Sequence, residues 1–138
     1  MHYIKFKMKN NFFKIVEYLY YFSLATLLIL YFFPGSLFGY FLYGNLGQQP
    51  NLIDNPIGTS INHLFFFIYL CILGLTSRSR NKKKINSFQF LFCISIFLEL
   101  SHWLIPNRVF EYYDLFANSL GVVIAYLFVN LFFIKIIK

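Results

Sequence analysis

The chain has 138 residues, of which 59% are hydrophobic, 23% aromatic and only 12% charged, and its formal net charge is +7. A soluble globular domain carries about 25% charged and about 45–50% apolar residues, so 12 basic and 5 acidic side chains are too few for a surface that faces water. Disordered, collagen-like and disulfide-scaffold classes are also excluded, because Phe, Leu and Ile dominate and only two cysteines are present. The composition therefore predicts an integral membrane protein.

Four apolar segments are long enough to be transmembrane helices, since a bilayer core about 30 Å thick takes roughly 17–25 mostly apolar residues. The first segment ends before Pro34-Gly35 and the third before Pro106, and both sites stop a helix. Backbone polar groups in lipid must be satisfied internally, so such segments form helices. We predict an all-α integral membrane protein that forms a single domain, 1–138. Its four transmembrane helices cover residues 15–33, 61–76, 85–105 and 114–134.

Basic residues predict the orientation of these helices. All but one of the 12 lie before the first span, between the second and third, or after the fourth. Such loops stay cytoplasmic, which predicts both termini inside and one long outward loop, residues 34–60, between the first and second helices. Whether this loop is interfacial or re-entrant stays open. The cytoplasmic set is Lys5, Lys7, Lys9, Lys14, Arg78, Arg80, Lys82, Lys83, Lys84, Lys135 and Lys138, and Arg108 is the exception.

Polar residues gather toward the outward end of the predicted spans. Ionisable groups near the membrane centre cost about 2.5–3.5 kcal/mol on insertion scales, so they need partners or water. Glu99 and His102 share one face of the third span by their i, i+3 spacing. Asp114 and Asn118 share one face of the fourth span. This convergence predicts either a site near the outer surface or a hydrogen-bonded clasp. Its six members are His63, Glu99, His102, Arg108, Asp114 and Asn118.

The hairpin between the third and fourth spans carries a recognisable pattern. It reads Glu99-Leu-Ser-His102-Trp-Leu-Ile-Pro106-Asn-Arg108, followed by Asp114-Leu-Phe-Ala-Asn118-Ser-Leu-Gly121. This resembles the signature of the VanZ-like family, roughly E-x-x-Q-x-x-x-P-x-R and then D-x-x-x-N-x-x-G. Six of the seven fixed positions match, and the departure is histidine 102 in place of glutamine.

A second part of the family pattern lies at the start of the second span. The family helix usually begins D-K-x-x-H; His63 matches the histidine, whereas Thr59-Ser60 replaces the Asp-Lys pair. The resemblance implies a small multi-pass protein of the bacterial plasma or inner membrane and a cell-envelope setting. Because the family takes its name from a protein associated with resistance to the glycopeptide teicoplanin, it also implies a role in antibiotic resistance.

Three of the clustered residues are candidate catalytic residues: Glu99, His63 and Asp114. A carboxyl group in low-dielectric surroundings, or an imidazole, can accept or donate a proton near neutral pH. The structural alternative for Glu99 and His63 is interhelical hydrogen bonding. For Asp114 the alternative is a carboxylate that stabilises a helix N-terminus.

The other three are candidate ligand-binding residues: Arg108, Asn118 and His102. A guanidinium group fits a phosphate or carboxylate of a lipid headgroup. The alternative for Arg108 is a salt bridge to Glu99, Asp114 or Glu111 that closes the hairpin. For Asn118 the alternative is helix packing, and for His102 it is a hydrogen-bond partner that replaces the family's glutamine.

No metal or other cofactor is predicted. Glu99 and His102 form a single E-x-x-H pair, whereas carboxylate-bridged bundles use two such pairs and two further carboxylates. A single zinc ion on His63, Glu99, His102 and Asp114 fits by ligand type, but it is the less favoured interpretation.

Three functions compete. We favour a polar site that binds or modifies an anionic lipid headgroup or a polyprenyl-linked envelope precursor, with the lipid bilayer as the constant partner and no nucleic acid. A structural or interaction protein, whose polar cluster only pins the helices, is the alternative. A small proton-coupled transporter is less favoured, because the inner halves of the third and fourth spans lack ionisable residues. The sequence leaves open whether the protein is an enzyme and which oligomer it forms.

Overall fold

The computed structural model describes residues 2–50, 58–78 and 82–133, with backbone only for residues 2–9 and 133. These residues form five α-helices and no strand, which confirms the predicted all-α class. The helices are α1 (His2–Phe32), α2 (Leu37–Tyr43), α3 (Ser60–Ser77), α4 (Phe88–Ser101) and α5 (Tyr112–Phe128). Short 3₁₀ turns flank α4 at Lys84–Asn86 and His102–Leu104, and a π-helical turn, Val129–Phe133, continues α5. Arg80, Lys135, Lys138 and the predicted end of the fourth span, residue 134, lie outside the described residues.

Three helices of the described chain are long and apolar enough to cross a membrane. These segments are Asn10–Phe32, Ser60–Ser77 and Tyr112–Phe132. The remaining predicted span is present as a shorter apolar helix, Phe88–Leu104. The structure therefore supports membrane-spanning character for α1, α3 and α5 by length and composition, while α4 falls short of the same criterion.

The helix boundaries differ from the predicted spans for local reasons. Helix α1 begins at His2 and not at residue 15, because lysines are good helix formers and hydropathy marks only the apolar part. Helix α4 begins at Phe88 and not at residue 85, because Ser87 is extended and its hydroxyl accepts a hydrogen bond from the Phe90 N–H at 3.2 Å. Helix α5 begins at Tyr112, two residues before the predicted start, Asp114.

The long connection between α1 and α3 contains a short helix, α2, that the glycine and proline content did not indicate. Ser36 caps its N-terminus by accepting a hydrogen bond from the Gly39 N–H at 2.9 Å. Gly44 ends it with φ 66°, a left-handed conformation that favours glycine. Two local caps therefore define α2.

Helix α3 is central, because it packs chiefly against α5 and also against α1, while α4 packs chiefly against α5. Gly121 permits the close approach of α5 to α3. A Cβ atom at this position would lie 2.7 Å from the Leu64 carbonyl oxygen and 3.0 Å from Cβ of Phe67. Small residues serve this purpose between membrane helices.

The distribution of polarity is the opposite of that in a water-soluble protein. Ile29, Phe97 and Phe116 are 64%, 60% and 67% exposed, whereas the side chains of Glu99 and Asn118 are fully buried. Large exposed apolar surfaces mark contacts with membranes or partners. Together with the apolar helices, this surface supports a membrane protein.

The bundle has two chemically different ends. We call the end where α1 and α4 finish and α3 and α5 begin the polar end. The opposite end, which we call the basic end, carries Arg78, Lys82, Lys83 and Lys84 between α3 and α4. There Lys83 Nζ lies 3.9 Å from a carboxylate oxygen of Glu17, which links this turn to α1.

Candidate functional site

The polar end collects side chains from four helices. Tyr31 lies in the last turn of α1 and His63 in the first turn of α3. Glu99 occupies the last turn of α4, and Asp114 and Asn118 lie in the first two turns of α5. A tight hairpin, in which Asn107 adopts φ 57°, returns the chain from α4 to α5 and so brings the last two helices into register.

Glu99 is the centre of this cluster. It is fully buried and its two carboxylate oxygens accept three hydrogen bonds. Asn118 Nδ2 donates to Oε2 at 3.3 Å, and the backbone N–H of Glu111 donates to Oε1 at 3.4 Å. His102 Nδ1 lies 3.2 Å from Oε1. Glu99 therefore links α4 to the start of α5 through hydrogen bonds. No arginine or lysine of the described residues lies within 4.0 Å of its carboxylate.

Tyr31 joins α1 to the same cluster. Its hydroxyl lies 2.8 Å from His63 Nδ1 and donates to Asn118 Oδ1 at 3.2 Å. Its ring stacks on the imidazole of His102, with centroids 5.0 Å apart and an interplanar angle of 15°. Sequence reasoning missed Tyr31 because the chain has 11 tyrosines and most fit an aromatic belt. Its position near the end of the first span, level with the polar residues of the others, was the available signal.

The orientation of the Asn118 amide sets the direction of these hydrogen bonds. Its NH₂ group donates to Glu99 and its oxygen accepts from Tyr31. The single hydroxyl proton of Tyr31 then points to Asn118, so its oxygen accepts from Nδ1–H of His63. A neutral His63 with its proton on Nδ1 has a lone pair on Nε2. That nitrogen faces Asp114, with Nε2 and Oδ2 separated by 3.5 Å.

Two buried polar atoms of this cluster have no hydrogen-bond partner among the described residues. They are Oδ1 of Asp114 and Nε2 of His102, and both residues are 2% exposed. Buried polar atoms are nearly always satisfied, so an unpaired atom indicates an ion, a water molecule or a functional role. These two atoms are therefore available to bind an ion, a water molecule or a ligand.

Arg108 lies beside the cluster and binds the end of α1. Its Nη2 donates to the Leu30 carbonyl oxygen at 2.6 Å and its Nε to the Phe33 carbonyl oxygen at 3.4 Å. A cation at a helix C-terminus is favourable because the carbonyl groups there have no helical partners. Burial lowers the pKa of Arg108 from its ordinary value, while the charges of Glu99 and Asp114 act in the opposite direction.

The salt bridge expected as the alternative role of Arg108 is absent from the described part of the chain, where no carboxylate lies within 4.0 Å of it. Glu111, one of the expected partners, precedes α5 and is largely exposed. Partial burial raises the pKa of Glu111, and repulsion from Asp114 and Glu99 adds to this effect. Glu111 thus contributes its backbone N–H to the cluster and not its side chain.

A cavity of about 270 Å³ opens beside the cluster. Its walls are mostly apolar and come from the end of α1, from α2 and from the start of α3, and one boundary carries polar groups. The apolar lining residues include Leu30, Leu37, Phe38, Leu42, Phe66 and Phe67, and the polar ones include Tyr31, Asn62, His63, His102 and Arg108. The cavity therefore suits an amphiphile with a polar head.

One group of residues has the composition of a metal site. His63, Glu99 and Asp114 each offer a ligand atom, and these atoms lie within 4.8 Å of one another. One imidazole nitrogen and two carboxylate oxygens are ligands that Zn²⁺ accepts.

The structure brings five of the six predicted site residues into one connected cluster, with Arg108 adjacent at the cavity wall. A family model described as VanZ/LLP1 matches residues 2–133 of the chain. No curated protein and no solved structure matches it. The family match spans the whole hairpin and every helix of the bundle, and it confirms the resemblance found in residues 99–121.

Proposed function

This chain belongs to the VanZ/LLP1 family, and from that membership and the chemistry of its polar end we propose that it binds the anionic head of a lipid or lipid-linked envelope precursor. The observation that carries the proposal is the cavity beside the cluster, with apolar walls and a polar boundary that includes Arg108. A ligand with an apolar chain and a charged head matches both parts.

We further propose that the chain is a multi-pass protein of the bacterial cell membrane with both termini in the cytoplasm. The described basic residues Arg78, Lys82, Lys83 and Lys84 lie at one end, which favours that end as cytoplasmic. The fourteen residues of α4 and its three-residue 3₁₀ extension reach about 27 Å. This length approaches the bilayer core of about 30 Å, so α4 serves as the short third of four spans.

Arg108 is the proposed anchor for the anionic group. Its hydrogen bonds to the described residues use Nε and Nη2, and its Nη1 edge is left for a ligand in the cavity that Arg108 lines. A guanidinium group can bind two acceptors in its plane, which suits phosphate and carboxylate oxygens. The two carbonyl groups of α1 hold this plane in position before a ligand arrives.

His63, Glu99 and Asp114 are the groups that would move protons if the bound head were altered. His63 has Tyr31 on one ring nitrogen and Asp114 beside the other, the arrangement in which a histidine is held as an acid or base. An envelope precursor as substrate would agree with the teicoplanin-resistance protein from which the family takes its name. Retained lipid that is chemically changed by wild type and unchanged by His63→Gln would make the protein an enzyme.

The test of binding is mass spectrometry of the lipids that stay with the full-length protein after gentle purification. We expect wild type and Lys82→Ala, which removes a cation at the basic end, to retain the same anionic lipid. Arg108→Ala should lose it. Because Arg108 also holds the end of α1, a second variant, Leu42→Trp, fills the cavity from α2 and leaves the polar cluster intact; it should lose the lipid too. The same lipid profile in all four proteins would refute the proposal.

A structural role for the cluster is the second candidate, because Glu99 accepts three hydrogen bonds from the protein itself. In that case Glu99→Gln and Asp114→Asn would keep the helices assembled and change nothing else. The lipid measurement separates the two candidates, since a pure clasp retains no specific ligand.

A further inference from the structure

Two buried carboxylates at the polar end have no lysine or arginine partner among the described residues. Glu99 is 0% exposed and Asp114 2% exposed, and no lysine or arginine lies within 4.0 Å of either. A buried charge without a partner costs several kcal/mol. Arg108, the nearest guanidinium, donates to the carbonyl groups of α1 instead. The positive charge that balances these carboxylates therefore comes either from protonated His63 and His102 or from a bound cation.

The contacts of His63 bear on this choice. With the Tyr31 hydroxyl donating to Asn118, Nδ1 of His63 is the donor to Tyr31, and an imidazole with this single proton has its lone pair on Nε2, facing Asp114. A lone pair and a carboxylate repel each other unless a proton or a metal ion lies between them. Metal-bound histidines commonly show this pattern, in which the second ring nitrogen donates to a neighbouring acceptor and fixes the tautomer.

The distance between the two atoms is also informative. Nε2 of His63 and Oδ2 of Asp114 are 3.5 Å apart, which exceeds the usual N–H···O range of about 2.7–3.2 Å. Two ligands of a tetrahedral zinc ion, at about 2.1 Å from the metal, are about 3.4 Å apart. The separation therefore also fits two ligands of one metal ion.

We propose that His63, Asp114 and Glu99 bind one divalent transition-metal ion of the Zn²⁺ type. Their ligand atoms lie within 4.8 Å of one another, so an ion draws the most distant pair together by up to about 1.4 Å to reach tetrahedral spacing. The charges of the two carboxylates and the ion cancel, and His63 is neutral as a ligand. While they hold the ion these three groups do not act as acid or base, so metal binding would replace that part of the proposed function. The otherwise unpaired Oδ1 of Asp114 gains a role as a second oxygen beside the ion.

Neighbouring groups hold these ligands in place. Tyr31 fixes His63, and Asn118 and His102 fix the two oxygens of Glu99. This shell was not apparent in the sequence, where metal binding was the less favoured interpretation. Because His63 also lines the cavity, the ion would meet a phosphate or carboxylate oxygen of the ligand, a consequence that rests on the proposed function.

The test is the metal content of the purified full-length chain. The protein is stripped with a chelator in detergent, incubated with ZnCl₂, desalted and measured by elemental mass spectrometry. We expect about one zinc ion per chain for wild type. For His63→Gln and Asp114→Asn we expect at least about a tenfold loss of zinc affinity, since each removes a ligand. Glu111→Gln is the matched control, because it removes an exposed carboxylate nearby and keeps the backbone N–H that Glu99 uses.

A second measurement does not depend on whether the variants fold. Cobalt(II) added to stripped wild type should give the visible absorption of a tetrahedral site, and ZnCl₂ should abolish it. Absence of zinc and of this spectrum in folded wild type would overturn the proposal and assign the charge compensation to protons. Undiminished zinc in folded His63→Gln would overturn it as well.

The same samples separate this proposal from the previous one. Lipids and zinc are measured independently in each preparation. Specific lipid without zinc would refute the metal site and leave the binding function, whereas zinc without specific lipid would support the metal site and refute the binding function.

Discussion

Asn118 and Glu99, nineteen residues apart on neighbouring helices, are joined by a hydrogen bond of 3.3 Å from Nδ2 to Oε2. Both side chains are fully buried. The opposite end of the same amide accepts from Tyr31. Asn118 therefore links α1, α4 and α5 through one planar group whose donor and acceptor are both used.

Replacement of Asn118 should be strongly destabilising. Asn118→Leu leaves the Tyr31 hydroxyl without its acceptor and Oε2 of Glu99 without its donor, and buried unpaired groups cost about 1–3 kcal/mol each. We expect the free energy of unfolding, measured by titration with a denaturing detergent, to fall by an amount in this range or above. Ser119→Ala, one position along the helix, is the control and should be close to neutral. An equal loss in both variants would show that Asn118 has no special role.

Tyr31→Phe tests the part of the network that the sequence did not reveal. The variant keeps the ring that stacks on His102 and removes only the hydroxyl between His63 and Asn118. We expect a loss of about 1–3 kcal/mol in unfolding free energy, since two buried partners become unpaired. Tyr18→Phe, on the same helix but 74% exposed, should leave stability unchanged. A neutral Tyr31→Phe would mean that the hydroxyl is dispensable.

Gly121→Ala tests the contact between α3 and α5. The added Cβ would meet the Leu64 carbonyl oxygen at 2.7 Å, a backbone atom that cannot move alone. The two helices must separate, and overpacking of this kind costs about 1–3 kcal/mol. Gly47→Ala is the comparison, because the nearest atom to its Cβ is a side-chain oxygen of Asn45 at 3.5 Å. The prediction fails if the melting temperatures of the two variants agree.

The proposed orientation can be tested with single cysteines. In a background of Cys71→Ala and Cys93→Ala, we introduce Val109→Cys in the hairpin or Lys83→Cys at the basic end. Because basic loops stay in the cytoplasm, a membrane-impermeant maleimide added to intact cells should label the first variant. It should label the second only after permeabilisation. The reverse pattern would invert the topology, and labelling of both from outside would remove α4 from the set of spans.

Much of the architecture was predictable because it depends on residue type along the chain. Apolar length indicated the helices, and the spacing of Glu99, His102, Asp114 and Asn118 placed them together at one end. The acceptor of Arg108 was not predictable, because the carbonyl groups of α1 exist at every position and have no sequence signature. The start of α1 was also missed, since a helix can continue from lipid into water without a change that hydropathy detects.

The short helix α2 was missed for a related reason. Its caps, Ser36 and Gly44, are common in loops, and only the folded chain shows that they are spaced to enclose one helix. Metal-ligand geometry was likewise inaccessible. The tautomer of His63 depends on Tyr31, a residue that approaches it only after α1 and α3 have packed.

The network at the polar end draws on four helices at one level, and this has a consequence for assembly in the bilayer. Lipid solvates apolar helix faces about as well as neighbouring helices do, so those faces alone select partners weakly. A slip of any helix by one turn, about 5.4 Å, would separate Tyr31, His63, Glu99 or Asn118 from its partners. Insertion of the helices and their assembly are therefore separable steps. Once the helices are in the membrane, the hydrogen bonds of these polar residues select one register between them.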